Sequence, residues 1–134
     1  MLDEIDARVH ADFARVRSRS FLKDLLAMFS GKRDSLLSYD QVKEKLRIGG
    51  PIYRGVRTVE VAKIVGSVNR YRDFDRAFLP RKNSLAIRWQ RVDRAFYEDV
   101  GLPPVVLYKV GDVYFVVDGH HRVSVAREIG RAHV

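Results

Sequence analysis

The chain has no cysteine among its 134 residues. This absence excludes disulfide bonds, a thiolate nucleophile and zinc sites built on cysteine ligands. Long apolar runs are also missing, since none approaches the roughly 18 residues needed to cross a membrane. The acidic start, with Asp3, Glu4 and Asp6, lacks the basic flank and apolar core of a signal peptide. We therefore expect a cytoplasmic protein without a membrane partner.

Acidic residues are scarce relative to basic ones. The chain has 25 lysines and arginines against 17 aspartates and glutamates, which gives a net charge of +8. Residues 54–94 hold nine arginines and two lysines against four acids, a net charge of +7 for that stretch. Such a field favours anionic partners such as nucleotides or DNA, although a solvated surface of ion pairs is the plain alternative.

The first 50 residues are predicted to be helical. Apolar residues recur at helical spacing over residues 2–29, which predicts one long helix or two abutting ones, ended by Gly31. A second helix is predicted from Tyr39 or Asp40 to Leu46, introduced by Ser38, with Gln41 at capping-box spacing. The apolar faces of these helices must be covered. A homodimer is favoured over a different partner or coverage of the sheet.

The remaining residues predict a small sheet that carries helices. Residues 57–61 alternate like a half-buried strand, and residues 66–69 are turn-prone. A helix capped by Asn83 or Ser84 follows, and residues 105–110 and 113–117 flank a two-residue hairpin link. A last helix follows residue 119. The prediction is an α+β fold, with a helical extension over residues 1–50 and a mixed domain over 51–134.

A polar turn at residues 118–122, with the sequence Asp-Gly-His-His-Arg, separates the last strand from the last helix. A helix N-terminus offers free backbone N–H groups and the positive end of the helix dipole, so it attracts anions. Gly119 lets the backbone approach an anion closely, and Arg122 can hold it with two parallel N–H donors. The pattern predicts a phosphate-binding turn.

The candidate catalytic residues are Asp118, His120 and His121. Asp118 can cap the helix, ligate a Mg²⁺ ion that bridges phosphates, or orient a histidine, and the sequence leaves these roles open. Because adjacent helical residues point about 100° apart, His120 and His121 are not expected to aim at one atom. One is expected to contact the ligand and the other to lie in the core.

A second cluster interleaves arginines with aromatic residues at positions 70–76. Arg70 and Arg72 could contact phosphates while Tyr71 and Phe74 stack on bases. The favoured alternative is that Phe74, together with Phe78 and Leu79, anchors the loop on the sheet.

The turn at 118–122, the apolar residues after it and the upstream Val59-Glu60-Val61 and Ile64 resemble the ParB/sulfiredoxin superfamily over roughly residues 57–134. The resemblance implies a ParB-like fold, phosphate contacts from Gly119 and Arg122, and a second contact from Arg70 or Arg72. Sulfiredoxins place a catalytic cysteine where His120 stands, so that activity is excluded. Relatives of this fold usually continue into another strand, so the chain is expected to be a fragment of a longer protein.

Three functions follow, in order of preference. The first is a nucleotide-binding, DNA-associated module like the ParB relatives. The second is a nucleotide-dependent small-molecule kinase, because the turn is similar to that of free-serine kinases of the same fold; their glutamate base has no counterpart in residues 65–72. The third is a ParB-like nuclease in which His120 or His121 activates water. Mg²⁺ would accompany the nucleotide.

Overall fold

The computed structural model describes residues 2–29 and 35–134. Within these residues the protein is α+β, as the sequence predicts. The described helices are α1 (Leu2–Met28), α2 (Tyr39–Leu46), α3 (Ala86–Tyr97) and α4 (His120–Glu128). The strands are β1 (Leu37–Ser38), β2 (Ile64–Ser67), β3 (Val106–Val110) and β4 (Val113–Asp118), and short 3-10 turns cover Val61–Lys63 and Asn83–Leu85. None of the helices in these ranges is long and apolar enough to span a membrane.

The four strands form one sheet in the order β1-β2-β4-β3. β1, β2 and β4 are parallel, and β3 pairs with β4 in the antiparallel direction. The parallel strands therefore all end at one edge, with Ser38, Ser67 and Asp118. Helices α2 and α4 both begin at this edge, which is where ligands bind in open α/β sheets.

The prediction that residues 57–61 form a strand of the sheet is wrong. The N–H of Val59 donates to the carbonyl of Val134 over 2.8 Å, and the N–H of Val61 donates to that of Ala132, also over 2.8 Å. This segment therefore pairs with the end of the chain instead of entering the sheet. The sheet strand is β2, whose four residues are all buried. A strand between two parallel neighbours has no polar face, so it shows no alternation.

Gly66, predicted to lie in a turn, is inside β2. An added Cβ would lie 2.4 Å from Cδ2 of Phe115 and 2.5 Å from the carbonyl oxygen of Leu37. Only glycine fits this position, because β1 and the ring of Phe115 both approach its Cα closely.

The sequence predicts the positions of the helices and of the hairpin correctly, but it does not predict the helix caps. The α2 helix and the hairpin around Gly111, whose φ is 56°, lie where they were predicted. However, Ser38 makes no side-chain capping hydrogen bond, and α3 follows a 3-10 turn without one. The predicted helix end at Gly31 lies outside the described residues.

Two apolar clusters hold the elements together. Apolar residues in the last part of α1, including Leu25, and Phe29 just after it join the cluster that contains Val42 and Phe115. A second cluster contains Ile64, Phe74 and Val123. β1 and α2 lie within the predicted 1–50 extension, yet they share the sheet and core with residues after 51.

Candidate functional site at the start of α4

Helix α4 begins directly after β4, with Gly119 as its N-cap residue. Gly119 has a φ of 106°, and the helix starts without a side-chain capping hydrogen bond. The first N–H groups of a helix have no intrahelical acceptors, so the first turn of α4 starts without a side-chain cap beside the carboxyl ends of β2 and β4, where Gly119, His120 and His121 are all buried. The phosphate-binding role of this turn stays a prediction.

Replacement of Gly119 by alanine is expected to destabilise the protein by about 1–3 kcal/mol. The positive φ strains any L side chain, and the new Cβ would lie 2.6 Å from Cγ1 of Val105. Urea denaturation of the wild type and of Gly119→Ala measures the loss. Gly130→Ala is the matched control, because Gly130 also has a positive φ, of 82°, but its Cβ would meet no atom within 4 Å. Equal losses in the two variants would contradict a role for the close contact with Val105.

His120 is held by Ser67, which lies at the end of β2. The Ser67 Oγ is 2.7 Å from Nε2 of His120, and it accepts the N–H groups of Asn69 and Arg70 over 3.2 and 2.8 Å. Because both acceptor sites of the hydroxyl are used, its proton points to Nε2. His120 is therefore an acceptor at Nε2, and a neutral ring then carries its proton on Nδ1.

Phe74 packs against both histidines. Its ring lies 6.0 Å from that of His120 in a stacked arrangement, and 5.3 Å from that of His121 in an edge contact. The guanidinium of Arg70 lies 5.6 Å from the centre of the Phe74 ring. Phe74 and Phe78 are fully buried, so the prediction that they anchor the loop is confirmed, whereas Leu79 is 47% exposed and was assigned wrongly.

His121 is the unusual member of the site. Its side chain is buried, with only 6% of the residue exposed, and neither Nδ1 nor Nε2 has a hydrogen-bond partner within the described residues. An imidazole nitrogen that is removed from water without a partner costs about 1–3 kcal/mol. Such a group in a folded protein calls for a specific explanation, and a bound ligand is one.

Both histidines are held neutral. Burial, and next the positive charge of Arg70, lower the pKa of His120 from 6.5 to about 4. The same two causes lower the pKa of His121 to about 4, and Arg88 adds to the effect. Neutral imidazoles can each donate one hydrogen bond and accept another at neutral pH.

Asp118 and Arg122 contact each other instead of the histidines. Nη2 of Arg122 donates to Oδ2 of Asp118 over 3.0 Å, and Nη1 donates to the carbonyl oxygens of Pro103 and Pro104. Arg122 thus fastens the connection between α3 and β3 to the first turn of α4. Its side chain lines a cleft of about 310 Å³ that also includes Arg131.

The two loop arginines differ in their placement. Arg70 is half-buried, its Nε donates to Oδ2 of Asp73 over 2.8 Å, and its charge acts on both histidines. Arg72 is exposed and lies 5.6 Å from the ring centre of Tyr71. The structure therefore brings Gly119, His120, His121 and Arg70 together, whereas Arg122 contacts the α3–β3 connection and Asp118 contacts Arg122.

The carboxylates near α4 fit a magnesium ion only in part. Asp118 is the one carboxylate among the predicted site residues, and its side chain is 72% exposed. In residues 2–29 and 35–134, no three His, Asp or Glu side chains cluster in a way that could hold a metal ion. Mg²⁺ commonly binds through one or two carboxylates plus substrate phosphates, so Asp118 could hold an ion that arrives with a nucleotide.

Sequence reasoning missed Ser67. Its partner His120 is 53 residues away, and the contact depends on the parallel pairing of β2 with β4. The only local signal is a serine two residues before Asn69, which is typical of a turn in which the hydroxyl accepts N–H groups two and three residues later. That turn is present.

No protein-family model, curated protein or solved structure matches this chain. The resemblance to the ParB/sulfiredoxin superfamily therefore stays a prediction that depends on the quoted motifs alone.

Proposed function

We propose that the protein binds the phosphate group of a nucleotide at the start of α4. The observation that carries this proposal is His121, whose two ring nitrogens are buried without a partner beside an uncapped helix N-terminus. A ligand that offers oxygen atoms would supply the missing partner once the side chains that cover His121 move aside, because neither nitrogen is open to solvent in the structure. It would also accept the free N–H groups of the first turn.

Charge selects an anion for this position. The helix dipole places partial positive charge at Gly119, and the guanidinium of Arg70 lies close enough to both imidazoles to lower their pKa. A neutral histidine can donate to a phosphate oxygen without bringing a second positive charge into a buried place. A phosphate therefore matches the site better than a cation or an apolar group.

The residues take distinct roles in this proposal. The backbone N–H groups after Gly119 and the guanidinium of Arg70 hold the phosphate, and His121 donates to it. Ser67 fixes the ring of His120. Arg122 holds the α3–β3 connection against α4, and an anion would have to compete with Asp118 for its Nη2 donor. A ParB-like association with DNA would use the exposed arginines of residues 54–94.

The test is a thermal-shift and calorimetric titration with the four ribonucleoside triphosphates and inorganic phosphate, with and without Mg²⁺. A ligand that binds only the folded state raises Tm by mass action, so we expect at least one nucleotide to raise Tm by several degrees. Arg70→Gln is expected to weaken that binding about 10- to 100-fold, which corresponds to the loss of one charged hydrogen bond. Arg94→Gln is the control, because Arg94 lies near the C-terminal end of α3, where it pairs with Glu98.

Two results would contradict the proposal: no stabilisation by any nucleotide or by phosphate, or equal binding by Arg70→Gln and the wild type. Product analysis separates the other functions. A phosphorylated amino acid would indicate a kinase, and metal-dependent nicking of DNA would indicate a nuclease. For the DNA association, affinity should fall steeply with salt.

A further inference from the structure

The apolar side chains in the first part of α1 are exposed to solvent. Residues 3–17 are all exposed, whereas packing on the sheet begins with Phe21 and Leu22. Ile5, Val9, Phe13 and Val16 are 56%, 58%, 62% and 57% exposed. Residues 3–17 belong to the same 27-residue helix whose later turns pack on the sheet, so their exposed apolar side chains are the part of α1 that has no covering surface among the described residues.

The exposed apolar residues form one narrow stripe. At about 100° per residue, Ile5 and Phe13 lie some 40° to either side of Val9, and Val16 lies between Ile5 and Val9 around the helix. The spacing is symmetric about Val9, because Ile5 precedes it by four residues and Phe13 follows it by four. A stripe with this symmetry matches its own copy when the copy runs in the opposite direction.

We propose that residues 3–17 of two chains pair as antiparallel helices, with the two-fold axis at Val9. In that register, position i of one chain lies opposite position 18 − i of the other. Val9 then meets the second Val9, and Ile5 meets Phe13 twice. An interface in which the same patch serves both partners is the commonest arrangement of soluble homodimers.

Charges beside the stripe are compatible with the antiparallel register. On one flank Asp12 comes opposite position 6 and within about two residues of Arg8 of the second chain, while Asp6 itself lies on the other flank, so an acid lies near a base. On the other flank Asp3 comes opposite position 15, about two residues from Arg17. In a parallel pair the opposite flanks of the two helices would face each other, which places Arg8 near Asp6 of the second chain, so the flanking charges alone do not separate the two directions. The charges are thus complementary in the antiparallel register, and the symmetry of the stripe about Val9 is what favours a second copy that runs in the opposite direction.

The first experiment measures the mass of the whole chain by sedimentation equilibrium. The wild type is expected to have twice the 15.5 kDa mass of one chain. Val9→Asp is expected to be a monomer, because the substitution places two carboxylates face to face at the axis. Ala11→Asp is the matched control, since Ala11 lies about 160° away around the helix and should leave the dimer intact.

The second experiment measures the direction of pairing, and the lack of cysteine makes it free of background. A mixture of Ile5→Cys and Phe13→Cys chains is expected to form a disulfide between the two variants on oxidation. Either variant alone should not form one, because two copies of position 5 would lie eight residues apart along the helices, about 12 Å. Disulfides need Cα atoms within about 7 Å.

A monomer at every concentration up to about 1 mM would overturn the proposal. Dimers that survive Val9→Asp would place the interface elsewhere. Efficient cross-linking of Ile5→Cys with itself would show a parallel pair and refute the antiparallel register. Since nucleotide binding is measured separately at α4, these results are independent of the proposed function.

Discussion

Phe74→Ala is expected to lower the free energy of unfolding by about 3–5 kcal/mol, the usual cost of truncating a fully buried phenylalanine. Phe74 has no exposed surface, and it contacts Phe78 at a ring distance of 6.3 Å as well as both histidines. Its removal would leave a cavity in the cluster that joins residues 70–79 to α4. Urea denaturation at neutral pH measures the loss.

Leu79 provides the control for the Phe74→Ala variant. Leu79 lies in the same loop but is 47% exposed, so Leu79→Ala is expected to cost less than about 1 kcal/mol. If the two variants lost similar stability, the loop would not depend on Phe74 as its anchor. Phe74→Ala should also weaken nucleotide binding in the fraction that remains folded, because Arg70 and both imidazoles contact this ring.

Much of the architecture could be predicted from local patterns. The hairpin around Gly111 and the helices α2, α3 and α4 each carry their own periodicity and turn residues, so neighbours in sequence specify them. The turn at residues 118–122 was found for the same reason, since an apolar strand, a glycine and a helical pattern follow one another directly. These are features in which the determining residues lie within one segment.

Features that depend on distant pairing could not be predicted. β2 is only four residues long and lacks alternation, because β1 and β4 flank it in parallel, whereas residues 57–61 alternate but pair with the chain end. The contact of Ser67 with His120 and the contact of Arg122 with Pro103 likewise join residues far apart in sequence. Nothing in the nearby residues encodes either contact.

The protein is expected to lose stability as the pH falls from about 6.5 toward 4. In the unfolded chain both imidazoles bind protons below their ordinary pKa of 6.5, whereas in the folded chain the pKa of each is lowered to about 4. The unfolded state thus binds more protons in this window, and stability rises with pH through it. The full effect of such a shift is about 3 kcal/mol per histidine, and it is complete above pH 6.5.

Other charged groups near the histidines also shift the pKa values of this region. Arg70 and Arg88 oppose protonation of His121, and Asp73 favours it. Hydrogen bonds from Lys82 and Arg70 lower the pKa of Asp73, so that carboxylate adds its own loss of stability in stronger acid. The contribution of one histidine must therefore be isolated by substitution.

His121→Leu isolates it, because the leucine removes two unpaired nitrogens from a buried place without breaking a hydrogen bond. We expect the variant to stay within about 1 kcal/mol of the wild type at pH 7.5, and to become more stable than the wild type as the pH approaches 4.5. Urea denaturation at both pH values measures the difference. Parallel curves for His121→Leu and the wild type would show that the pKa of His121 is the same in the folded and unfolded protein, which would contradict the removal of its ring from water.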